Sequence, residues 1–147
     1  YGLENEHDNG IVDILPIDEN EALTLERSYD PSKRKVTVRL FYVDLIDAVN
    51  SEAQVIKKDN LSELLPVKKY LIGNFDDFLP EMAAGFQKID NFEGITFGPV
   101  VGGRTTLLAI SDNNFNSDQL TQFIIIDFDL EKLRRNVRTG FLKGMRE

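Results

Sequence analysis

The chain has no cysteine and no tryptophan, and its 147 residues include a single histidine, His7. Without cysteine there are no disulfides, no thiolate metal ligands and no cysteine nucleophile. A Ser-His-Asp triad would have to use His7, which stands just before the first expected strand with no partner to orient it. No G-x-S-x-G elbow is present, which sets aside an α/β-hydrolase. There is no Walker loop either: Val101-Gly102-Gly103-Arg104 has strand-forming residues on both sides and reads as a hairpin turn. Long apolar runs are missing, so no segment predicts a membrane span. Positive charge is scarce: 17 Lys and Arg stand against 25 Asp and Glu, a formal net charge of −8. That balance argues against a nucleic-acid partner, whose phosphates need a basic surface.

The charge is uneven. From Glu131 to Glu147, six Lys or Arg face two Glu, about +4, which leaves about −12 on residues 1–130. This divides the chain into a β-rich body, 1–130, and a basic tail or short helix, 131–147. The tail reads either as a solvated helix or as a docking segment for an acidic partner. No signal peptide opens the chain. Tyr1 is not a natural start residue, so the expectation is a piece of a larger or processed product.

What the sequence has in plenty is strand signal. Ile11 to Ile17 and Glu21 to Glu26 flank the polar turn Asp18-Glu19-Asn20, a hairpin pattern. Lys35 to Leu45 alternates, with Val36, Val38, Leu40 and Tyr42 on one face. Asp59 to Leu65 predicts one helical turn ended by Pro66, and Val67 to Ile72 a fourth strand. Asn74 to Asn91 predicts a structured loop anchored by Phe75, Phe78, Met82 and Phe86, because Pro80 and Gly85 interrupt a helical period. Gly94 to Gly98 is a short strand. Arg104 to Ile110 and Gln122 to Leu130 are apolar-rich runs of the kind that mark strands buried on both faces.

These signals repeat. Gly10-Ile11 leads through a hairpin to Arg27-Ser28-Tyr29-Asp30, and Gly94-Ile95 leads to Ile110-Ser111-Asp112-Asn113. Third strands close alike, with Tyr42-Val43-Asp44-Leu45 against Asp127-Phe128-Asp129-Leu130. The offsets are about 85 residues. A unit of three or four antiparallel strands with variable loops predicts an all-β chain of β-propeller blades, about two of them, with a short C-terminal helix. Two blades cannot close a ring, and open edges invite pairing, so the rest of a propeller or another chain is the expected partner. A two-layer β-sandwich is the alternative architecture.

Four segments carry a resemblance. Leu25-Glu26-Arg27-Ser28-Tyr29, Asn91-Phe92-Glu93-Gly94-Ile95, Ser111-Asp112-Asn113-Asn114-Phe115 and Thr121-Gln122-Phe123 resemble, in order and spacing, the C-terminal part of the phytase-like domain family. The resemblance spans about Gly10 to Leu130. It implies a piece of a six-bladed propeller, an esterase-like or phosphoesterase-like activity on a small ester or phosphoester, and an exported protein. The N-terminal blades of that family are missing here, and the basic tail lies outside its pattern.

Strand pairing places the candidate site residues. Glu93 opens one first strand, and Asp112, Asn113 and Asn114 follow one second strand, so they gather at one edge of the sheet. Near Asp8-Asn9 and Glu26-Arg27 the other repeat offers the matching edge. Glu93, Asp112 and Asn113 present hard oxygen donors, and Ca²⁺ is the ion such a set would hold. The same Asp and Asn equally read as caps of their own turns. Asp112, Asn114, Asn116 and Asp118 alternate, but Ser117 and Phe123 stand where a calcium loop of the EF-hand type needs Gly and Glu. Glu26 and Arg27, adjacent in a strand, point to opposite faces. Under the hydrolase reading they position substrate; Arg27 suits a phosphate or carboxylate, or an ion pair between blades. A non-catalytic scaffold that binds a partner or ligand on the same face is the second functional reading.

Overall fold

The structure, a computed structural model, describes residues 3, 8–46, 48 and 67–142. His7 and the helical turn expected over 59–65 lie outside the described residues.

Among the described residues seven strands form two antiparallel sheets, neither closed. Sheet one is a meander of β1 (Gly10–Pro16), β2 (Glu21–Asp30), β3 (Lys35–Asp44) and β4 (Lys68–Asn74). Sheet two is a meander of β5 (Asn91–Phe97), β6 (Thr105–Asp112) and β7 (Phe123–Phe128). The helix α1 (Leu130–Arg138) follows. Among the described residues no helix is long and apolar enough to cross a membrane.

Short polar side chains set the turns. Asp18 Oδ1 accepts the Asn20 N–H at 2.9 Å between β1 and β2. Between β2 and β3, Asp30 Oδ1 accepts from the Ser32 N–H at 2.9 Å and the Ser32 hydroxyl at 2.6 Å. These are the local bonds that make Asp and Ser turn residues. The Ser32 hydroxyl, then Lys33, holds the Asp30 carboxyl well below the usual carboxylate range. Asp129 caps α1 by accepting the Lys132 N–H at 2.8 Å.

The expected loop over 74–91 contains a 3-10 helix, Phe75–Glu81. Asn74 caps it by accepting the Asp76 N–H, and the tight i to i+3 geometry tolerates Pro80 near the end of so short a run. Phe75, Phe78 and Met82 anchor it on the core as expected, whereas Phe86 is exposed. Phe75 is fully buried, with its ring centroid 5.0 Å from that of Phe92 and 5.5 Å from that of Phe78.

One core joins the two sheets. Leu23, Leu25, Val38, Leu40 and Tyr42 from sheet one meet Phe92, Ile95, Leu107 and Ala109 from sheet two, with Leu133 of α1. β7 departs from expectation. Ile124 and Ile126 pack on the core, but Phe123 and Ile125 are 65% and 68% exposed. An alternating strand reads as apolar throughout here because its outer face is apolar and uncovered among the described residues.

The repeat is visible in the register. The β1–β2 pairing slips between Ile11 and Asp13, and the β5–β6 pairing slips between Phe92 and Gly94. Val12 and Glu93 are therefore matching bulge residues, 81 apart rather than the 84 that Gly10 and Gly94 suggest. Opposite the slips stand Leu25 and Ile110, 85 apart; their partners on the third strands, Leu40 and Phe123, are 83 apart. The match has a consequence for packing. Leu25 lies on the face of sheet one that enters the core, whereas Ile110 lies on the face of sheet two that does not. Matching faces are thus used in opposite ways, so the sheets stack front to back.

Candidate functional site

The starts of β1 and β5, the β2–β3 turn and the β6–β7 loop all lie at one end of the two sheets. Ionic and hydrogen bonds tie the sheets together there. Arg27 Nη1 donates to Asn91 Oδ1 at 2.8 Å, and Arg27 Nη2 sits 3.5 Å from Glu93 Oε1. The Ile95 N–H donates to Asp13 Oδ2 at 2.8 Å. Glu93 reaches Arg27 from its place in the β5 bulge, a feature that re-aims side chains. Arg27 and Glu93 are both partly open to solvent.

Glu26 points the other way, as strand alternation requires. It is 2% exposed; its Oε1 lies 2.7 Å from Lys69 Nζ on β4, and its Oε2 accepts from Asn9 Nδ2 at 3.2 Å. Lys69 in turn stands over the Phe41 ring at 4.3 Å.

Asp112 and Asn113 open the β6–β7 loop. Asp112 is the register partner of Asn91, so the fold brings Arg27, Asn91, Glu93 and Asp112 to one edge. Asp112 Oδ1 accepts the Asn114 N–H at 3.0 Å and Asn113 Oδ1 accepts the Phe115 N–H at 3.1 Å, the turn-capping geometry. Asn114 and Phe115 both have positive φ, 48° and 56°. For a phenylalanine this is a rare conformation, and the ring it presents is fully exposed. Among the described residues no three His, Cys, Asp or Glu side chains converge as a metal cage would require.

A buried polar frame holds this loop. The Asp90 carboxylate accepts N–H groups of Asn91 at 3.0 Å and Leu120 at 2.9 Å, and pairs with Lys88 at 3.0 Å. Ser111 Oγ donates to the Leu120 carbonyl at 2.7 Å and accepts the Gln122 N–H at 2.8 Å. Gln122 Nε2 donates to the carbonyls of Phe86 and Lys88 at 3.1 and 2.8 Å. Each of these groups is satisfied, which is what makes a buried polar network rigid.

Between this frame and the β2–β3 turn lies a cavity of about 460 Å³, walled by Tyr29, Arg34, Lys35, Lys88, Asn116 and Gln119 among others. Lys35 is held by Asp76 at 2.6 Å and Lys88 by Asp90. Arg34 has φ 48°, in the left-handed region that residues other than glycine seldom adopt. A strained non-glycine residue in a cavity wall is the kind of outlier that marks functional sites. These cations are not among the site residues expected from the sequence. The signal was present as Lys33-Arg34-Lys35, three basic residues in an acidic chain.

With this geometry in view, comparison with known families is decisive. The model of the phytase-like family, described as esterase-like activity of phytase, matches residues 1–115. The chain belongs to the phytase-like family. The match ends inside the β6–β7 loop, so Thr121-Gln122-Phe123 and the basic tail fall outside it. Comparison with curated proteins and with solved structures gives no match. This end of the sheets combines oxygen donors, a framed loop and a cavity whose wall carries three cations, Arg34, Lys35 and Lys88, and three carboxylates, Asp76, Asp90 and Asp118.

Proposed function

We propose that this chain contributes the binding end of an esterase-like or phosphoesterase-like hydrolase. Its membership of the phytase-like family carries the reading, and the cavity in whose wall Arg34 stands beside the Lys35–Asp76 and Lys88–Asp90 pairs is where an anionic ester would meet a guanidinium. A guanidinium is the side chain best suited to a phosphate, which it can grip with two N–H groups. Arg27, half-open at the neighbouring edge, would contact a larger substrate; Glu26, buried against Lys69, would act as a positioning residue. Ca²⁺ is part of this proposal as a ligand of Glu93, Asp112 and Asn113. Bound there, it would polarise the scissile group. The front-to-back stacking supports a propeller, because a heterologous contact repeats until it closes. The two sheets would then be consecutive blades within 1–130, with 131–147 appended and the remaining blades as partner.

The second reading is a non-catalytic scaffold. One set of observations favours it: Glu26, Arg27, Glu93, Asp112 and Asn113 each have a structural partner. The exposed Phe115 at the same end would suit a binding surface.

The test uses p-nitrophenyl acetate and p-nitrophenyl phosphate, with calcium or with chelator, on the natural chain and on Arg34→Gly and Glu93→Gln. Hydrolysis of either ester that Arg34→Gly lowers at least about tenfold supports the first reading. Because glycine relieves the left-handed strain, the same variant should unfold about 1 kcal/mol later. A calcium-dependent rise in the thermal midpoint that Glu93→Gln removes supports the ion site. A folded chain with no hydrolysis and no calcium response leaves the scaffold.

A further inference from the structure

Among the described residues sheet one has four strands and sheet two has three, and a groove lies where a fourth strand of sheet two would pair. It measures about 700 Å³ and runs along β7, walled by Thr121 through Asp127 on one side and by Phe78, Met82 and Phe86 on the other. Consecutive β7 residues line it, so it follows the open edge of the strand rather than one of its faces. The hydrogen-bonding direction agrees. The Gln122 carbonyl accepts the Ser111 N–H at 3.0 Å, which turns Gln122 toward β6. By alternation Ile124 and Ile126 also face β6, while the N–H and C=O groups of Phe123, Ile125 and Asp127 face the groove. Their matches in sheet one, Leu40, Tyr42 and Asp44, are register positions opposite β4.

We propose that this groove takes an extended segment as the fourth strand of sheet two, antiparallel to β7. The occupant's chemistry follows from β4. Lys68 stands opposite Asp44, and Asp44 matches Asp127, so the new strand carries a Lys or Arg opposite Asp127. Glu81 in the groove wall favours the same sign of charge. Lys69 of β4 answers Glu26, whose match in sheet two is the uncharged Ser111, so the next position is apolar. Opposite Ile124 the strand again places an apolar side chain, as Leu71 does opposite Phe41, toward the side where Phe78 and Met82 pack on the core. Main-chain bonds to a sheet edge provide the affinity in such recognition, and alternate side chains the selectivity. Neither the hydrolase nor the scaffold reading is needed for this inference.

The probe is a fluorescent synthetic peptide of residues 67–74 carrying Lys69→Val, followed by anisotropy on the intact chain. Saturable binding is expected. Ile125→Pro, which removes an outward N–H at an edge position where proline is tolerated, should abolish it, and Ile125→Thr should retain it. Asp127→Lys should weaken binding at least about tenfold, and a second peptide with Lys68→Glu should recover it on that variant. The charge exchange stands even where Ile125→Pro fails to fold. No binding to the natural chain, or equal binding to Ile125→Pro and Asp127→Lys, would overturn the proposal. So would a concentration-dependent dimer that Ile125→Pro dissolves, since β7 of a second copy would then be the occupant.

Discussion

The Glu26–Lys69 pair shows what a single residue can decide. Both side chains are almost wholly buried and 2.7 Å apart. An ion pair in that position is held by mutual compensation, since the desolvation of each charge is large. Lys69→Met should therefore destabilise the chain by about 3–5 kcal/mol, because it leaves a buried carboxylate without its cation. Glu26→Gln together with Lys69→Met should recover most of that loss, as read from urea midpoints. If the single variant is as stable as the natural chain, Glu26 is not held as the geometry indicates. Gly98 is a second decisive residue. Its N–H donates to the Thr106 carbonyl at 2.7 Å, and an added Cβ would collide with Thr106 Oγ1. That hydroxyl is itself bonded to the Pro99 carbonyl at 2.8 Å. Gly98→Ala should cost about 1–3 kcal/mol as an overpacking change. The matching control is Gly102→Asn, whose positive φ asparagine tolerates and whose Cβ meets nothing.

Among the elements, α1 is the one whose sequence admitted two roles. One of its basic side chains, Arg134, turns onto the chain's own acidic hairpin, while Lys132, Arg135 and Arg138 stay exposed. Arg134 Nε donates to Glu21 Oε2 at 2.8 Å, and Arg134 Nη2 lies 2.8 Å from Asp18 Oδ2. Glu21 also bonds the Tyr42 hydroxyl, and burial, with Glu21 next, pushes that phenol above the usual tyrosine range. The folded state thus holds the Tyr42 proton more tightly than the unfolded chain does. The stability this contributes is complete below the unfolded value of about pH 10 and falls as pH rises beyond it. Urea midpoints between pH 8 and 11 should fall more steeply for the natural chain than for Tyr42→Phe. Equal slopes would mean that Tyr42 titrates freely.

At the scale of the whole molecule, the two sheets share one core and should unfold together. Phe92 joins them: it is fully buried on β5 and meets Phe75 edge-on. Phe92→Ala should lower stability by about 3–5 kcal/mol while keeping a single transition. Two transitions, seen as tyrosine fluorescence and circular dichroism failing to coincide, would show that the sheets are separate units. Much of this architecture was legible in advance. Alternation and apolar runs gave the strands, Asp18-Glu19-Asn20 gave the first turn, and four short motifs pointed to the phytase-like family, which the chain's first 115 residues match. The gathering of Glu93 and Asp112 at one edge followed from strand direction alone.

Sequence by itself determined which residues form strands, where they turn, and which family the chain belongs to, because these depend on near neighbours and on motif order. Tertiary structure decided the rest. The 81-residue offset of the first strands arises from bulges at Val12 and Glu93, which only pairing reveals. The exposure of Phe123 and Ile125 depends on what lies across a sheet face, not on the strand's own composition. The union of Arg34, Lys35 and Lys88 around one cavity joins side chains up to 54 residues apart, and the groove along β7 exists because sheet two stops one strand short of sheet one. Each is a property of long-range packing, where distance along the chain carries no information about distance in space.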